Sequence, residues 1–357
     1  MTFPTLLAVL LAATAPEGAM KVTVSPDPVM LVRGSVQELN FDFVIENQLD
    51  EEMKLNRIEL TVSEKNGVVV SRKFLSTNGF SPGILTVFPD RTIAPKSRGL
   101  IFNPFHQLPV GVVSPVLAYE FVFDGAVSKR SVTTSVKVVP LEFKPATALS
   151  LPLPGRILVD DGADFYGHHR RLHTTHPVAV QLGFVRNFMR HAVDLLEVNA
   201  SGDRHSGDGN KNDDWFSWGD PALAPAPGRI VDVYEAQPDN DTPGRENKFK
   251  EEDVFANPMR LYGNYVVIDH GKGEYSLLAH LMEGSVVVEK GQNVKLGDVV
   301  GKVGSSGSSI YPHLHYELRT GPTIDADGLP LIFNNFRRAG SKKSTSGEIA
   351  TGQIVQR

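Results

Sequence analysis

The sequence predicts a mainly β protein with two domains. Short runs rich in branched and aromatic residues recur along the chain, several of them alternate apolar and polar residues, and no convincing amphipathic helix interrupts them. The length of 357 residues is enough for two or three domains, each with its own core. A proline-rich connector at residues 144–154 marks the predicted boundary.

Residues 1–19 are predicted to be a signal peptide. An apolar run from Leu6 to Ala13 precedes small residues that resemble a cleavage site, although no Lys or Arg comes before the run and Pro16 follows the expected cut. The alternative is a disordered or buried N-terminal strand. The signal interpretation predicts an exported protein that is periplasmic, held in the cell envelope or secreted.

Residues 20–143 are predicted to form an immunoglobulin-like β-sandwich. Runs such as 37–45, 67–74 and 118–123 have strand composition and are separated by turn residues. This region carries one histidine, His106, and no acidic cluster with ligand spacing. We therefore interpret it as a scaffold or binding module and not as the catalytic part.

Residues 155–338 are predicted to form a second β domain that carries the chemistry. Ten of the eleven histidines lie here. Two long polar segments, 199–220 and 237–261, interrupt its strands. Segments of this kind either form the walls of a functional site or are disordered. Trp215 and Trp218 in the first segment either line a substrate groove or anchor the segment. The small, polar residues 339–357 are predicted to be a flexible tail.

Composition excludes several classes of function. The net charge is -5 and no Lys/Arg cluster is present, which argues against a nucleic-acid partner. Beyond the N-terminus no stretch is long and apolar enough to span a membrane. Because the chain has no cysteine, any metal must be held by histidine and carboxylate. The sequence has no His-Glu-x-x-His motif, which excludes the helical class of zinc proteases.

The most informative motif is His313-Leu314-His315, which lies in an alternating segment after a Gly/Ser-rich turn. Two residues at i and i+2 of a strand project from the same face, so one histidine can bind a metal while the other meets a water or a substrate oxygen. Asp194 stands in an apolar strand, where an unpaired carboxylate is costly. Together with a histidine it would give a mixed N/O zinc set with a coordination position left for water.

Several segments in this order resemble the lysostaphin or LytM-type zinc metallopeptidases, which cut peptide cross-links of bacterial peptidoglycan. The resemblance covers roughly residues 155–335. It rests on Ala224-Pro225-Ala226-Pro227-Gly228, Gly263-Asn264-Tyr265-Val266-Val267-Ile268-Asp269-His270-Gly271, Leu278-Ala279-His280-Leu281, Gly297-Asp298-Val299-Val300-Gly301 and Pro312-His313-Leu314-His315.

The resemblance implies a LytM-like antiparallel β-sheet peptidase domain with zinc as cofactor. His315 and Asp194 would be zinc ligands. His280 and His313 would be catalytic, one as general base and the other, if it presents an N–H, as the group that stabilises developing negative charge. The implied substrate is a cell-wall peptide with small residues near the cut.

The third ligand departs from the family pattern. Where the family has the histidine of a His-x-x-x-Asp motif, four residues before Asp194, this chain has Arg190, which cannot ligate zinc. Candidates are His191, which would point to the opposite face of an extended strand, and a histidine-rich loop that contains His168 and His169. The loop is favoured, with His169 as the predicted ligand.

Three functions remain open from the sequence, and the first of them is the leading hypothesis. One is a zinc metalloendopeptidase that cleaves peptidoglycan cross-links by a metal-activated water. Another, which Arg190 favours, is a catalytically silent relative that binds peptidoglycan or regulates a cell-wall hydrolase, with the N-terminal sandwich as a contact for such a partner. A third possibility is that the long loops redirect a working zinc site to another peptide.

Overall fold

The mainly β prediction is confirmed by a computed structural model of the chain, which describes residues 19–244, 248 and 250–357. The predicted signal peptide, apart from Ala19, lies outside the described residues. Among the described residues, none of the helices has the length and apolar character needed to cross a membrane.

The strands of the N-terminal part are short to medium in length. They are β1 (Met20–Ser25), β2 (Met30–Arg33), β3 (Gln37–Leu39), β4 (Asp42–Asn47), β5 (Met53–Glu64), β6 (Val69–Ser76), β7 (Thr92–Ile93), β8 (Arg98–Phe102), β9 (Gln107–Leu108), β10 (Pro115–Gly125), β11 (Ser131–Val138) and β12 (Leu141–Glu142). A single 3-10 turn, Gly83–Thr86, lies among them in the described residues.

The C-terminal part continues with strands and a few helical turns. The strands are β13 (Arg156–Asp161), β14 (Val193–Glu197), β15 (Pro221–Leu223), β16 (Gly228–Tyr234), β17 (Asn264–Asp269), β18 (Tyr275–Leu281), β19 (Asn293–Val294), β20 (Val299–Lys302), β21 (Leu314–Arg319), β22 (Phe333–Arg338), β23 (Thr345–Gly347) and β24 (Ile354–Gln356). The helices are α1 (Pro177–Gln181) and α2 (Glu251–Ala256), with 3-10 turns at Asn212–Asp214 and Pro258–Tyr262.

The first of two compact units comprises residues 19–25, 42–105 and 111–140 of the described chain. It holds a three-stranded sheet, β1-β4-β8, and a five-stranded sheet in which β11-β10-β5-β6 are neighbours and β7 pairs with β5. The rings of Tyr119 and Phe121 in β10 lie 4.8 and 4.9 Å from that of Phe43 in β4, so aromatic side chains join the two sheets. The immunoglobulin-like assignment of this unit stays a prediction.

The second unit comprises residues 26–41, 106–110 and 141–357, so the predicted boundary at 143 is wrong for two N-terminal segments. The physical reason is strand pairing: β2, β3 and β9 join β12 in a separate four-stranded sheet, β12-β2-β3-β9. The run 37–45, predicted as one strand, is divided between β3 in this unit and β4 in the other.

The main element of the second unit is a ten-stranded sheet. Its order is β19-β16-β17-β18-β21-β14-β13-β24-β22-β23, and the pairings within it are antiparallel. One face of β21 contributes Leu314, Tyr316 and Leu318 to a large apolar core, as the alternation in its sequence requires. The opposite face carries the polar residues of the candidate site.

The proline-rich stretch and the C-terminal tail were both predicted wrongly. Leu149, Leu151 and Leu153 are at most 1% exposed and belong to the core of the second unit, so residues 144–154 are not a free linker. Their two-residue spacing is a strand-like signal that the prolines obscured. The tail is not flexible either, because β24 pairs with β13 and β22 and buries Val355 completely.

The carboxyl group of Asp220, at the end of the first polar segment, interacts with that of Glu197 at the end of β14. Burial, together with the hydrogen bond and the negative charge of Glu197, raises the pKa of Asp220 to about 8. Since the pKa of an aspartate in an unfolded chain is about 4, this group lowers the stability of the folded protein progressively as the pH rises from about 4 to about 8.

We therefore expect Asp220→Asn to stabilise the protein at neutral and alkaline pH. The amide can still donate to Glu197 and carries no charge. An advantage in unfolding temperature of about 2–4 °C at pH 8, corresponding to about 1 kcal/mol, should shrink to almost nothing at pH 4. Thermal unfolding followed across this pH range checks the prediction, and an advantage that does not grow with pH would contradict it.

Candidate metal centre and active site

The histidine-rich residues of the second unit meet in a cleft of about 370 Å³. Asp194, His280, His313 and His315, together with the loop residue His169, all line it. The full lining comprises His168, His169, Phe188, Met189, Asp194, Leu261, Tyr262, His280, Ser308, Ile310, Tyr311, His313 and His315.

Three of these side chains form a compact group of potential metal ligands. Nδ1 of His315 lies 3.0 Å from Oδ1 of Asp194, and Nε2 of His169 lies 3.6 Å from Oδ2 of the same carboxylate. One ligand atom from each of the three residues lies within 4.8 Å of the others, and all three residues are buried. The donor set is two imidazole nitrogens and one carboxylate oxygen.

The sheet places two of the three ligands. Asp194 in β14 and His315 in β21 are directly opposite each other in the antiparallel register, so their side chains meet on one face. His169 comes from the loop between β13 and α1. Asn187 holds this loop by donating to the carbonyl oxygens of His169 and Arg170, at 3.1 and 3.0 Å.

Of the other candidates for the third ligand, His168 also lines the cleft and forms a second group of potential ligands with Asp161 and His169, whereas His191 lies outside the cleft lining. Among the described residues, neither His191 nor Arg190 belongs to a group of three potential metal ligands. Both are buried, at 5% and 2% exposure. His168 has a side chain that is 70% exposed, and its Nδ1 lies 3.0 Å from Oδ2 of Asp161. The structure thus brings His169, and not His191, to Asp194 and His315.

His280 enters the cleft through a distortion of β18. Tyr265 pairs with Ala279 and Asn264 pairs with Leu281, so His280 is the extra residue of a β-bulge. Its φ of 60° is in the left-handed region, which is unusual for a residue with a side chain. Its Nδ1 lies 2.8 Å from the carbonyl oxygen of Ser306. Since a carbonyl can only accept, Nδ1 carries a proton and Nε2 is the nitrogen available for chemistry.

His313 is oriented in the same way. Its Nδ1 donates to the carbonyl oxygen of Tyr311 at 2.7 Å, which leaves Nε2 at 3.4 Å from Oδ1 of Asp194. The ring centroids of His280 and His313 are 4.9 Å apart. Two imidazoles that are held through Nδ1 therefore stand beside the candidate ligands.

Electrostatics in the cleft depend on Asp194. Burial would raise its pKa, but the charges of His169 and His313 and the hydrogen bonds from His313 and His315 hold that pKa well below its usual range. Burial would lower the pKa of His315, yet hydrogen bonds to Asp194 and Glu317 and the charges of both carboxylates raise it to about 9. Burial lowers the pKa of His280 well below its usual value.

The sequence interpretation missed a second layer of polar residues behind the ligands. Oε1 of Glu317 lies 2.7 Å from Nε2 of His315 and also accepts a hydrogen bond from the hydroxyl of Tyr262 at 2.7 Å. On the other side, Nδ1 of His169 lies 2.9 Å from Oδ2 of Asp161. The two-residue period that joined His313 to His315 extends to Glu317 and Arg319, so these two could have been found from the sequence.

The two polar segments are packed against the cleft. Trp215 is 7% exposed and stacks on Tyr311, with ring centroids 4.7 Å apart and planes at 5°. Trp215 therefore anchors its segment, whereas Trp218 is partly exposed. In the second segment, Asn240 donates to the carbonyl oxygens of Gly307 and Ser309, which fixes it to the turn before His313.

Comparison with known proteins confirms the family resemblance. Residues 252–326 match the family model described as Peptidase family M23. The matched range contains His280, His313 and His315, whereas Asp194 and His169 precede it. This part of the chain thus resembles peptidase family M23.

Individual relatives match over short stretches. A stretch of 58 residues is 50% identical to the DD-carboxypeptidase/endopeptidase Mpg of Neisseria meningitidis and covers 16% of this chain and 13% of that protein. A stretch of 66 residues is 38% identical to the murein hydrolase activator EnvC of Escherichia coli and covers 18% and 15% of the two chains. A crystal structure of a zinc-containing peptidase from Vibrio cholerae is 14% identical, with a TM-score of 0.28, over 82% of this chain and 80% of that one.

The chain therefore spans only 13% and 15% of the length of these two sequence relatives. One of them is named as an enzyme and the other as an activator of enzymes. The family match is compatible with both roles.

Proposed function

We propose that this protein is a zinc-dependent metalloendopeptidase that cleaves peptide cross-links of bacterial peptidoglycan. The observation that carries the proposal is the convergence of His169, Asp194 and His315 in one buried group with His280 and His313 beside it. The family's first histidine is replaced by Arg190, and the loop histidine His169 would supply the third ligand in its place.

The residues present fit a zinc ion. Two imidazoles and one carboxylate are a donor set typical of catalytic zinc, and three protein ligands leave a fourth position open. Among the described residues that line the cleft there is no Lys or Arg to compete for Asp194. When bound, zinc would act as a Lewis acid toward a water molecule and the scissile carbonyl.

His280 and His313 would move the proton and stabilise charge. In each ring Nδ1 is fixed by a backbone carbonyl oxygen, so the ring cannot turn and Nε2 is held toward the cleft. One imidazole would accept a proton from the attacking water, and the other, as an N–H donor, would stabilise the negative charge that develops on the carbonyl oxygen. Pre-orientation of both rings would reduce the reorganisation needed during the reaction.

The wall of the cleft supports an uncharged peptide as the substrate near the cut. Phe188, Met189, Leu261 and Ile310 form its apolar part. Outside the histidines and Asp194, no charged side chain is among the described lining residues. Small uncharged residues of a cell-wall peptide would suit this surface, and such a substrate requires the protein to be exported to the cell envelope, as the N-terminal sequence predicts.

The test is metal content and hydrolysis by the purified full-length protein. We expect about one zinc per chain, and release of uncrosslinked peptides from peptidoglycan that is blocked by a chelator and restored by zinc. Separation of the muropeptides by mass would identify the bond that is cut. Absence of zinc after supplementation, or zinc without hydrolysis of any cross-linked peptide, would contradict the proposal.

The second candidate is a silent, regulatory relative, which the substitution by Arg190 favours. It would bind peptidoglycan or a partner hydrolase without cutting peptides, and the N-terminal unit would supply the contact. In that case the protein should increase the activity of a cell-wall hydrolase in a mixed assay, and the Asp194→Ala variant should do so equally well.

A further inference from the structure

We propose that Asp161 and Glu317 are positioning residues that orient the two histidine ligands, so that His169 presents Nε2 and His315 presents Nδ1 to the metal. This inference rests on the zinc centre of the proposed function. It assigns a role to two carboxylates that lie outside the proposed ligand set of His169, Asp194 and His315.

Glu317 faces the outer nitrogen of His315. Nδ1 of His315 is directed to Asp194 at 3.0 Å, whereas Nε2 lies 2.7 Å from Oε1 of Glu317. A carboxylate can only accept here, so Glu317 holds a proton on Nε2, and Nδ1, which faces Asp194, would be the nitrogen that binds the metal. The two residues are neighbours on one face of β21, which holds their separation constant.

Glu317 is itself buried beside a hydroxyl donor and a guanidinium. It is 1% exposed, Tyr262 donates to its Oε1 at 2.7 Å, and Nε of Arg319 lies 3.4 Å from its Oε2. Arg319 is fully buried and its guanidinium lies over the Tyr262 ring, 5.6 Å from the centroid. A buried carboxylate requires such partners, and here they aim it at His315.

Asp161 faces the outer nitrogen of His169 as an ion-pair neighbour, without the alignment of a hydrogen bond. Nε2 of His169 is directed to Asp194, and Nδ1 lies 2.9 Å from Oδ2 of Asp161. The same oxygen lies 3.0 Å from Nδ1 of His168 and 3.4 Å from the backbone nitrogen of His169. The register of β13 and β14 shifts between Val159 and Asp161, and this bulge places Asp161 directly opposite Asp194.

This arrangement explains how a loop residue can serve as a ligand. The histidine of a loop has more orientations available than one in a sheet, and a fixed carboxylate from the neighbouring strand selects one of them. Each outer carboxylate also increases the basicity of the imidazole that it contacts. The two ligands therefore use opposite ring nitrogens because their carboxylates lie at opposite positions around the rings.

The test is the zinc affinity of full-length protein, measured by competition with a chelator of known affinity. We expect Asp161→Asn and Glu317→Gln each to weaken zinc binding by about 10–100-fold, because the amides are nearly isosteric with the carboxylates but carry no charge. Asp160→Asn is the matched control for the first, since Asp160 contacts Arg204 and Tyr311 and not a ligand histidine. Glu274→Gln is the control for loss of a buried carboxylate, and it should leave the affinity unchanged.

A spectroscopic measurement on the wild-type protein tests the same proposal without relying on variants that have to fold. Long-range ¹⁵N–¹H spectra of the zinc-loaded protein should show metal on Nε2 of His169 and Nδ1 of His315, with a proton on the other nitrogen of each ring. Zinc on the opposite nitrogen of either ring, or variants that bind zinc as tightly as their controls, would overturn the positioning role and leave the zinc centre intact. A wild-type protein that binds no zinc would refute the centre and this inference together.

Discussion

Asp194→Ala is expected to yield a folded protein that retains no zinc after purification and has no peptidase activity. Asp194 supplies the anionic donor of the proposed set, and it lies within 3.6 Å of the ring nitrogens of His169, His313 and His315. Its removal leaves neutral imidazoles without the charge that balances a divalent cation. Metal analysis of the purified protein and peptide release from peptidoglycan measure the two effects, and wild-type zinc content in this variant would contradict the proposed ligand set.

A pair of histidine variants identifies the third ligand in the same experiment. His169→Ala should lose zinc as Asp194→Ala does, because its Nε2 is the loop nitrogen beside Asp194. His191→Ala is the matched control: it also removes a buried imidazole, but that residue stands outside the ligand group among the described residues. Loss of zinc in His191→Ala, with retention in His169→Ala, would reverse the assignment. Unfolding temperatures of the metal-free variants should be compared, so that loss of zinc is separated from loss of the fold.

The parts of the site that follow from strand periodicity could be predicted from the sequence. The spacing of His313 and His315 placed both on one face, and the apolar flanks of Asp194 indicated a strand. The observed register sets Asp194 opposite His315, a pairing that depends on sequence-distant strands and so cannot be deduced from local pattern. The family resemblance supplied that relation.

The loop contribution was harder to predict, because the position of His169 depends on contacts made at a distance. Asn187 fixes the carbonyl of His169, and Arg170 donates to the carbonyl oxygen of Phe41 at 2.8 Å. Phe41 belongs to an N-terminal segment that the sequence assigned to the sandwich, yet it lies in the same compact unit as the cleft. Local propensity carries no information about such pairing, which is also why the leucines of residues 144–154 and the final strand were mistaken for a linker and a tail.

His280→Asn is expected to keep its zinc and lose peptide hydrolysis by about 10²–10⁴-fold, the usual loss when a general acid or base is removed. Asparagine tolerates the left-handed conformation of His280, whose φ is 60°, better than alanine does, so the bulge should persist. His280→Ala should likewise keep its zinc and lose peptide hydrolysis. Zinc content and kcat measured on the same samples distinguish a catalytic role from a ligand role.

The matched control for this substitution is His176→Asn. His176 is exposed and caps α1 by accepting from the backbone nitrogen of Val178, a contact that asparagine can also make. The His176→Asn variant should have the zinc content and the kcat of the wild-type protein. Full activity in His280→Asn would remove His280 from the mechanism, and loss of zinc would make it a ligand. His280 reaches the cleft through a bulge with a left-handed backbone conformation. Such a conformation costs about 1–3 kcal/mol, and a chemical role for His280 accounts for that cost.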